Sequence, residues 1–186
     1  MIDNKIRCFG SNSQIYANYH DSEWGKLTYD DKILFEFLIL EGAQAGLNWE
    51  TILKKREGYN RSFHGFDPVK VANMRDQELE DLRLDKSIIR NKLKIYSTRK
   101  NAQVFLDIQK EFGSFSKFLW NFVNNNPIVN NWKNIEDVPT TSIISDKISK
   151  ELKFRGMSFV GSTIIYAYMQ ACGLVNDHMS DCWLKI

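Results

Sequence analysis

The sequence predicts an all-α protein, and three observations support this. Apolar side chains recur three and four residues apart over most of the 186 residues. Residues typical of helix ends interrupt this periodicity, including an Asp-Pro pair and a Gly that follows an apolar run. No Asn-Gly or Asp-Gly turn lies between alternating stretches, so β-hairpins are not indicated.

The first strong helix is expected after Asp30 or Asp31, which would serve as its cap. Its periodic side chains are Ile33, Leu34, Phe37, Leu38, Glu41 and Ala45. A short helix should follow Asn48 and carry residues 51–56. The helix after Asp30 or Asp31 is predicted to be amphipathic, with one apolar face towards the core.

The middle of the chain continues in the same pattern. Asp67-Pro68 predicts an N-cap followed by proline at the first helical position. Further helices are expected over residues 69–74, 76–84, 87–112 (with room for a break), 114–123, 141–154 and 162–172. Gly173 should cap the last of them. Residues 124–139 are polar, rich in asparagine and predicted to be irregular, and residues 155–161 form a turn.

Composition favours a single domain over residues 1–186, since 43% hydrophobic and 13% aromatic residues suffice for a sizeable core. No apolar run is long enough to span a bilayer, and the first nine residues lack the apolar stretch of a signal peptide. A cytoplasmic protein without a membrane partner is therefore expected. The net charge of +2 neither requires nor excludes nucleic acid, although basic residues cluster locally.

Two Cys/His pairs lie at opposite ends of the chain, Cys8 with His20 and His178 with Cys182. Together they offer the two thiolates and two imidazoles that a tetrahedral zinc site uses. The spacing from His178 to Cys182 places both side chains on one face if that segment is helical. The alternative is that scarce residues fall near the ends by chance, since a buried cysteine is often only a small apolar residue.

Glu41 continues the apolar stripe of the first helix, where a carboxylate is out of place. Burying a charge is costly, and the usual result is a raised pKa or a dedicated partner. Tyr16 and Tyr19 precede His20, and Trp24 and Trp49 lie before and after the helix that carries Glu41. These residues suggest a pocket for a flat, cationic or hydrogen-bonding ligand such as a nucleobase. A structural glutamate that caps a helix or pairs with a tyrosine is the alternative.

The segment from Arg155 to Ser162 has a glycine near each end and leads into a helix. Free N–H groups at a helix N-terminus bind anions such as phosphate, and basic residues including Lys153 precede this turn. An ordinary connection between two helices is the alternative.

Several long stretches resemble bacterial DNA-3-methyladenine glycosylase I. The motifs are Tyr16-Ala-Asn-Tyr-His-Asp-Ser-Glu-Trp-Gly25, Leu40-Glu-Gly-Ala-Gln-Ala-Gly-Leu-Asn-Trp49, residues 52–57, residues 63–71 and residues 159–178. They cover the chain from Cys8 to Cys182. The resemblance implies an all-α fold of the helix–hairpin–helix glycosylase superfamily.

The resemblance also implies roles for individual residues. A structural zinc ion would join segments 1–25 and 173–186 through Cys8, His20, His178 and Cys182. The base pocket would use Glu41 as the catalytic residue with Tyr16, Tyr19 and Trp49 around it, and Phe9 stands where some members have a tryptophan. Residues expected to contact DNA are Gly46, Leu47, Lys153, Arg155, Gly161 and Ser162.

The activity that the resemblance implies is excision of flipped 3-methyladenine from alkylated double-stranded DNA, which leaves an abasic site without strand cleavage. The partners would be damaged DNA and the free base as product, bound by a monomer. A non-enzymatic helix–hairpin–helix DNA-binding module is the main alternative, since it needs no buried glutamate. A zinc-dependent deaminase is disfavoured because the H-x-E and P-C-x-x-C signatures of that class are missing.

Overall fold

Helices make up most of the chain in the computed structural model, which describes residues 5–185. Residues 1–4 and 186, which belong to the predicted domain and its terminal segments, lie outside the described residues. The helices are α1 (Gln14–Ser22), α2 (Asp31–Gln44), α3 (Trp49–Ser62), α4 (Pro68–Ala72), α5 (Asp76–Leu82), α6 (Lys92–Phe112), α7 (Phe115–Asn121), α8 (Ile143–Phe154) and α9 (Ser162–Ala171). The all-α prediction is confirmed.

The predicted helix ends are largely confirmed because they rest on local chemistry. The Asp30 carboxylate accepts hydrogen bonds from the backbone N–H groups of Lys32 and Ile33 and so caps α2. Asp67 caps α4 in the same way, with Pro68 in the first turn. Gly173 follows α9 with a φ of +76°, the left-handed conformation that glycine adopts readily.

Most predicted boundaries agree within two residues, and two differ by more. Helix α3 extends to Ser62, well beyond residue 56. Helix α6 begins at Lys92 instead of residue 87, because Asn91 is extended and its side chain caps the backbone N–H of Lys94. The preceding segment is held in a non-helical form by the Tyr59 hydroxyl, which accepts a hydrogen bond from the N–H of Ile89.

Helix α2 is the centre of the fold and packs against α3, α6, α7 and α9. The prediction that α2 is amphipathic with one buried face is wrong: from Leu34 to Ala43 every residue except Glu36 is buried. A helix that neighbours cover on several sides is apolar nearly all round. Glu41 lies inside this buried stretch.

The segment predicted to be irregular contains a short strand. Strand β1 (Ile128–Val129) pairs in parallel with β2 (Val175–Asn176), with Ile128 opposite Val175. The pairing fixes residues 128–130 beside the segment that carries His178 and Cys182. Among the described residues, no helix has the length and apolar character needed to cross a membrane.

Candidate functional site

A cavity of about 370 Å³ opens beside the C-terminal half of α2. Helices α1, α2, α3 and α9 line it together with residues 135–140. The predicted pocket residues Phe9, Tyr16, Tyr19, Glu41 and Trp49 all border this cavity. The structure therefore brings together the five side chains that the sequence analysis assigned to base binding, although their roles remain predictions.

Glu41 lies at the buried end of the cavity, with 4% of its surface exposed. Its Oε2 atom has no hydrogen-bond partner among the described residues. Burial raises the pKa of this carboxyl group to about 8, because desolvation disfavours the charged form. The unpaired oxygen of this buried acid can therefore accept a hydrogen bond from a ligand bound in the cavity.

Aromatic rings form the walls around Glu41. The Phe9 and Tyr16 rings meet edge to face with centroids 5.2 Å apart, and Tyr19 lies 5.4 Å from Trp49. Trp49 is buried, and its Nε1–H has no acceptor among the described residues. Glu41 and Trp49 thus leave two buried polar atoms available to a ligand, which is rare unless a site is built for one.

Helix α9 supplies pocket residues that the sequence analysis missed. Thr163, Tyr166 and Gln170 line the cavity from the side opposite α1. Their spacing of three and four residues indicates one face of α9, but the sequence gives no sign that this face meets α2. Gln44, three residues after Glu41, was also missed although helical spacing places it on the same face.

Asp177 holds the α9 wall in place. Its Oδ2 accepts hydrogen bonds from the Tyr166 hydroxyl and the Gln170 amide, each at 2.7 Å. Its Oδ1 accepts hydrogen bonds from Asn130 and from the Trp132 indole, also at 2.7 Å. Both oxygens of Asp177, which also borders the cavity, are therefore engaged in hydrogen bonds within the protein.

The four predicted metal ligands converge, although they come from opposite ends of the chain. Ligand atoms of Cys8, His20, His178 and Cys182 lie within 4.8 Å of one another. Cys182 Sγ is 3.4 Å from both His20 Nε2 and His178 Nδ1, and Cys8 Sγ is 3.6 Å from His178 Nδ1. Tetrahedral zinc, with ligand bonds of about 2.3 Å to sulfur and 2.1 Å to nitrogen, separates these atoms by about 3.6 Å.

The segment from His178 to Cys182 is a turn and not a helix, so the expectation that a helix places both side chains on one face does not apply. Instead, the backbone N–H of Cys182 donates to the carbonyl of Met179 and folds the two ligands together. Gly25 allows His178 to approach, since a Cβ at Gly25 would lie 2.8 Å from its Nε2. The described residues therefore form a Cys2His2 cluster able to hold a metal ion.

A second set of contacts orients the His20 ligand. Asp21 accepts a hydrogen bond from His20 Nδ1 at 2.9 Å, which leaves Nε2 free to face the cluster. Arg7 binds both oxygens of Asp21, and the Trp183 indole donates to the same carboxylate. Burial lowers the pKa of His178 to about 4, so that imidazole is neutral, as a metal ligand requires.

The predicted DNA-contacting residues fall on two exposed turns. Gly46 and Leu47 form the turn after α2, and 42% of the Leu47 surface is exposed. Gly161 precedes α9, and no atom lies within 4 Å of where its Cβ would be. Lys153 is exposed at the end of α8. These positions are accessible, and their contact with DNA remains a prediction.

Arg155 differs from this group because its guanidinium is engaged within the protein. It donates to Glu151 at 2.7 Å and to both oxygens of Glu111. The guanidinium also lies over the rings of Phe112 and Phe118. These contacts disfavour the predicted DNA contact of Arg155 and indicate that it fixes the turn after α8.

Ser162 also makes internal contacts through its side chain. Its hydroxyl bonds to Ser145, 2.8 Å away, and to Asp146. A phosphate at the start of α9 would therefore meet backbone N–H groups and not this hydroxyl.

An all-α fold with a buried carboxylate at the end of an aromatic pocket is the arrangement expected of a DNA glycosylase that binds a flipped base. A sequence profile described as methyladenine glycosylase matches residues 9–185. The chain belongs to the methyladenine glycosylase family.

Individual relatives support the same assignment. DNA-3-methyladenine glycosylase 1 of Escherichia coli strain K12 is 49% identical over 172 residues, which is 92% of each chain. A crystal structure of 3-methyladenine DNA glycosylase I superposes with a TM-score of 0.95 at 43% identity, covering 97% of this chain and all of that one. A variant of such an enzyme in complex with 3-methyladenine gives a TM-score of 0.93 at 39% identity, covering 96% of each chain.

Proposed function

We propose that this protein is a DNA repair glycosylase that excises 3-methyladenine from alkylated double-stranded DNA. It hydrolyses the N-glycosidic bond, leaves an abasic site and does not cleave the strand. The observation that carries the proposal is Glu41, a buried acid with an unpaired oxygen at the end of a pocket walled by aromatic rings.

The chemistry of the damaged base explains why one carboxylate is sufficient. Methylation at N3 leaves adenine positively charged, so the glycosidic bond is already weak and the base needs no protonation. The ionised carboxylate of Glu41 would accept a hydrogen bond from the base and oppose its charge, an electrostatic role in a site that excludes water. Water then attacks the sugar cation that develops as the bond breaks.

The aromatic side chains give the pocket its shape. Phe9, Tyr16 and Trp49 would stack on or enclose the flat base, and Tyr19 would add a hydrogen bond. The unpaired Nε1–H of Trp49 offers a donor to the same ligand. Neutral adenine gains less from Glu41 than the methylated cation does, and it costs more to unstack from intact DNA.

The contact with DNA is assigned to the two exposed turns. Leu47 would enter the gap left by the flipped nucleotide, supported by Gly46. Lys153 and the backbone N–H groups after Gly161 would bind phosphates. Because the proposed substrate is cellular DNA and each chain has its own pocket, we expect the protein to act as a monomer in the cytoplasm.

Zinc is the proposed ion of the Cys2His2 cluster, because two cysteine sulfurs and two imidazoles within 4.8 Å of one another offer the donor set that zinc prefers. Four protein ligands leave no position for water, which supports a structural role. Tyr16 and Tyr19 lie on the same helix as His20, so the cluster would hold one wall of the pocket.

Base release from methylated duplex DNA tests the proposal. The wild-type protein is expected to release a single base that co-elutes with 3-methyladenine, and Glu41→Gln should lower the rate at least about a hundredfold. Glu57→Gln removes a carboxylate from an exposed position of α3 and serves as the matched control. Wild-type rates in Glu41→Gln would contradict the assigned role.

A non-enzymatic DNA-binding module is the remaining alternative class. It would use the two turns but would need no pocket for a free base. Saturable binding of 3-methyladenine, followed by the fluorescence of Trp24 and Trp49, which both line the pocket, would exclude it. Duplex binding without any base release would favour it.

A further inference from the structure

Lys94 connects α6 to the end of α2. Its Nζ donates to the carbonyl oxygens of Ala43 at 2.8 Å and Ala45 at 2.6 Å. Carbonyls at the C-terminus of a helix lack partners within the helix, and a cation there also offsets the negative end of the helix dipole. The last turn of α2 contains no basic residue of its own. Lys94, from another helix, therefore supplies both the hydrogen bonds to the free carbonyls and the positive charge.

The turn that follows these carbonyls has few other contacts. Gly46 adopts a φ of +76°, and the space around its missing Cβ is open to 4 Å. The backbone N–H of Leu47 donates to the carbonyl of Gln44 at 2.6 Å, while its side chain is exposed. Among the described residues, Lys94 supplies the side-chain hydrogen bonds that join residues 43–45 to another helix.

Lys94 acts on the turn separately from Glu41. The pKa of Glu41 is raised by burial alone, so the lysine charge is not what tunes that carboxyl group. Lys94 is part-buried and does not line the cavity that Glu41 borders. A change at Lys94 can thus alter the turn and leave the base pocket intact.

Helix α6 supports the second exposed turn in a similar way. Asn101, seven residues after Lys94, lies on the same face two turns along. Its side chain donates to the carbonyl of Ser158 and accepts from the N–H of Ser158, both at 2.9 Å. One face of α6 therefore holds both turns at a fixed separation.

We propose that Lys94 is a positioning residue that holds the Gly46–Leu47 turn in the conformation that enters the DNA duplex. The functional consequence, which is extrusion of the damaged nucleotide, rests on the proposed function. The structural part, that Lys94 anchors the turn, stands on the two carbonyl contacts and can be tested without activity.

The variant is Lys94→Met, which keeps the alkyl stem and removes the donor. Lys92→Met is the matched control, because it removes the same charge from an exposed position on the same helix. Amide hydrogen exchange of the free protein is measured at residues 45–47. We expect exchange at Leu47 to speed up at least about tenfold in Lys94→Met and to stay unchanged in Lys92→Met. Unchanged exchange in Lys94→Met would overturn the proposal.

Excision assays test the functional consequence. In Lys94→Met, kcat/KM on a methylated duplex should fall about tenfold, while affinity for free 3-methyladenine stays at the wild-type value. Excision from single-stranded DNA should fall less, because the damaged base does not have to be separated from a complementary base. Equal losses on both substrates, or an equal loss in Lys92→Met, would overturn the positioning role. Failure of wild-type protein to release any base would reject the proposed function, and the exchange measurement would still decide the anchoring.

Discussion

Glu41 shows how one side chain can be costly for folding and useful for binding. Its carboxyl group is buried in the central helix, and no described residue partners its Oε2. The neighbouring rings cannot stabilise a negative charge as water does. The ionised form of Glu41 is therefore unfavourable until a cationic ligand binds beside it.

A pH-dependent penalty in stability follows from this burial. A Glu pKa raised from 4.5 to about 8 means that the folded state binds more protons than the unfolded state between these values. Stability should then fall as pH rises from 4.5 to 8 and level off above, by at most about 5 kcal/mol. Glu41→Gln removes this penalty.

Urea unfolding of wild type and Glu41→Gln at pH 5 and pH 9 measures the effect. The Gln variant should be the more stable protein at pH 9, with little difference at pH 5. A difference of the same size at both values would show that Glu41 does not titrate as its burial predicts.

The same pKa sets the pH dependence of catalysis. The N3-methylated nucleotide keeps its positive charge at every working pH, whereas the ionised fraction of Glu41 falls about tenfold per unit below its pKa. We expect kcat/KM on methylated duplex to rise with pH up to about 8 and then flatten. Initial rates between pH 6 and pH 9 test this, and the residual activity of Glu41→Gln should lack the rise.

Glu41 could be singled out from the sequence because a carboxylate within an apolar stripe breaks a local pattern. Gln170 could not be found in this way. Its position depends on a hydrogen bond of 2.7 Å to Asp177, which in turn accepts hydrogen bonds from Asn130 and Trp132, more than 40 residues earlier. Local periodicity carries no information on such partners.

At the scale of helices, the sequence predicts where a helix starts and ends better than it predicts which elements pack against that helix. Caps at Asp30, Asp67 and Gly173 depend on residues next to the boundary, and they are confirmed. The β1–β2 pair was not predicted, because it depends on distant segments. The predicted start of α6 was five residues too early, because Tyr59 of α3 holds the segment before the Asn91 cap in a non-helical form. The burial of α2 on nearly all sides likewise depends on how many helices surround it.

The approach of α3 to the segment before α6 leads to a prediction. A Cβ added at Gly58 would lie 2.3 Å from the backbone oxygen of Ser87, a clash that no side-chain rotation relieves. Gly58→Ala should therefore lower the free energy of unfolding by about 1 to 3 kcal/mol. Chemical denaturation measures this, with the exposed neighbour change Glu57→Ala as control; equal stability of the two variants would contradict it.

At the scale of the molecule, the Cys2His2 cluster and the pocket share structural elements. Helix α1 carries both His20 and the pocket tyrosines, and Asp177 precedes the ligand His178. The sequence indicated the four ligands only as scarce residues at both ends, and the folded chain brings their donor atoms together. Occupancy of the cluster and integrity of the pocket should consequently change together.

Removal of the metal with a chelator tests this connection. We expect the melting temperature to fall by roughly 10 °C, which corresponds to about 4 kcal/mol for a chain of this size. Affinity for 3-methyladenine should weaken as well, while Glu41 itself is unchanged. Cys8→Ser should reproduce the effect, whereas Cys172→Ala, which alters the free cysteine outside the cluster, should keep its metal. Full stability and full affinity after metal removal would refute the connection.

A bound ion also changes the topology of the chain. The ligand pairs Cys182–His20 and Cys8–His178 are 162 and 170 residues apart, so coordination turns nearly the whole polypeptide into a closed loop. Closing a flexible loop of this length removes about 5 kcal/mol of chain entropy from the unfolded ensemble. A molecule whose inner helices open while the ion stays bound therefore remains a closed loop, and it refolds with its most distant contact already made.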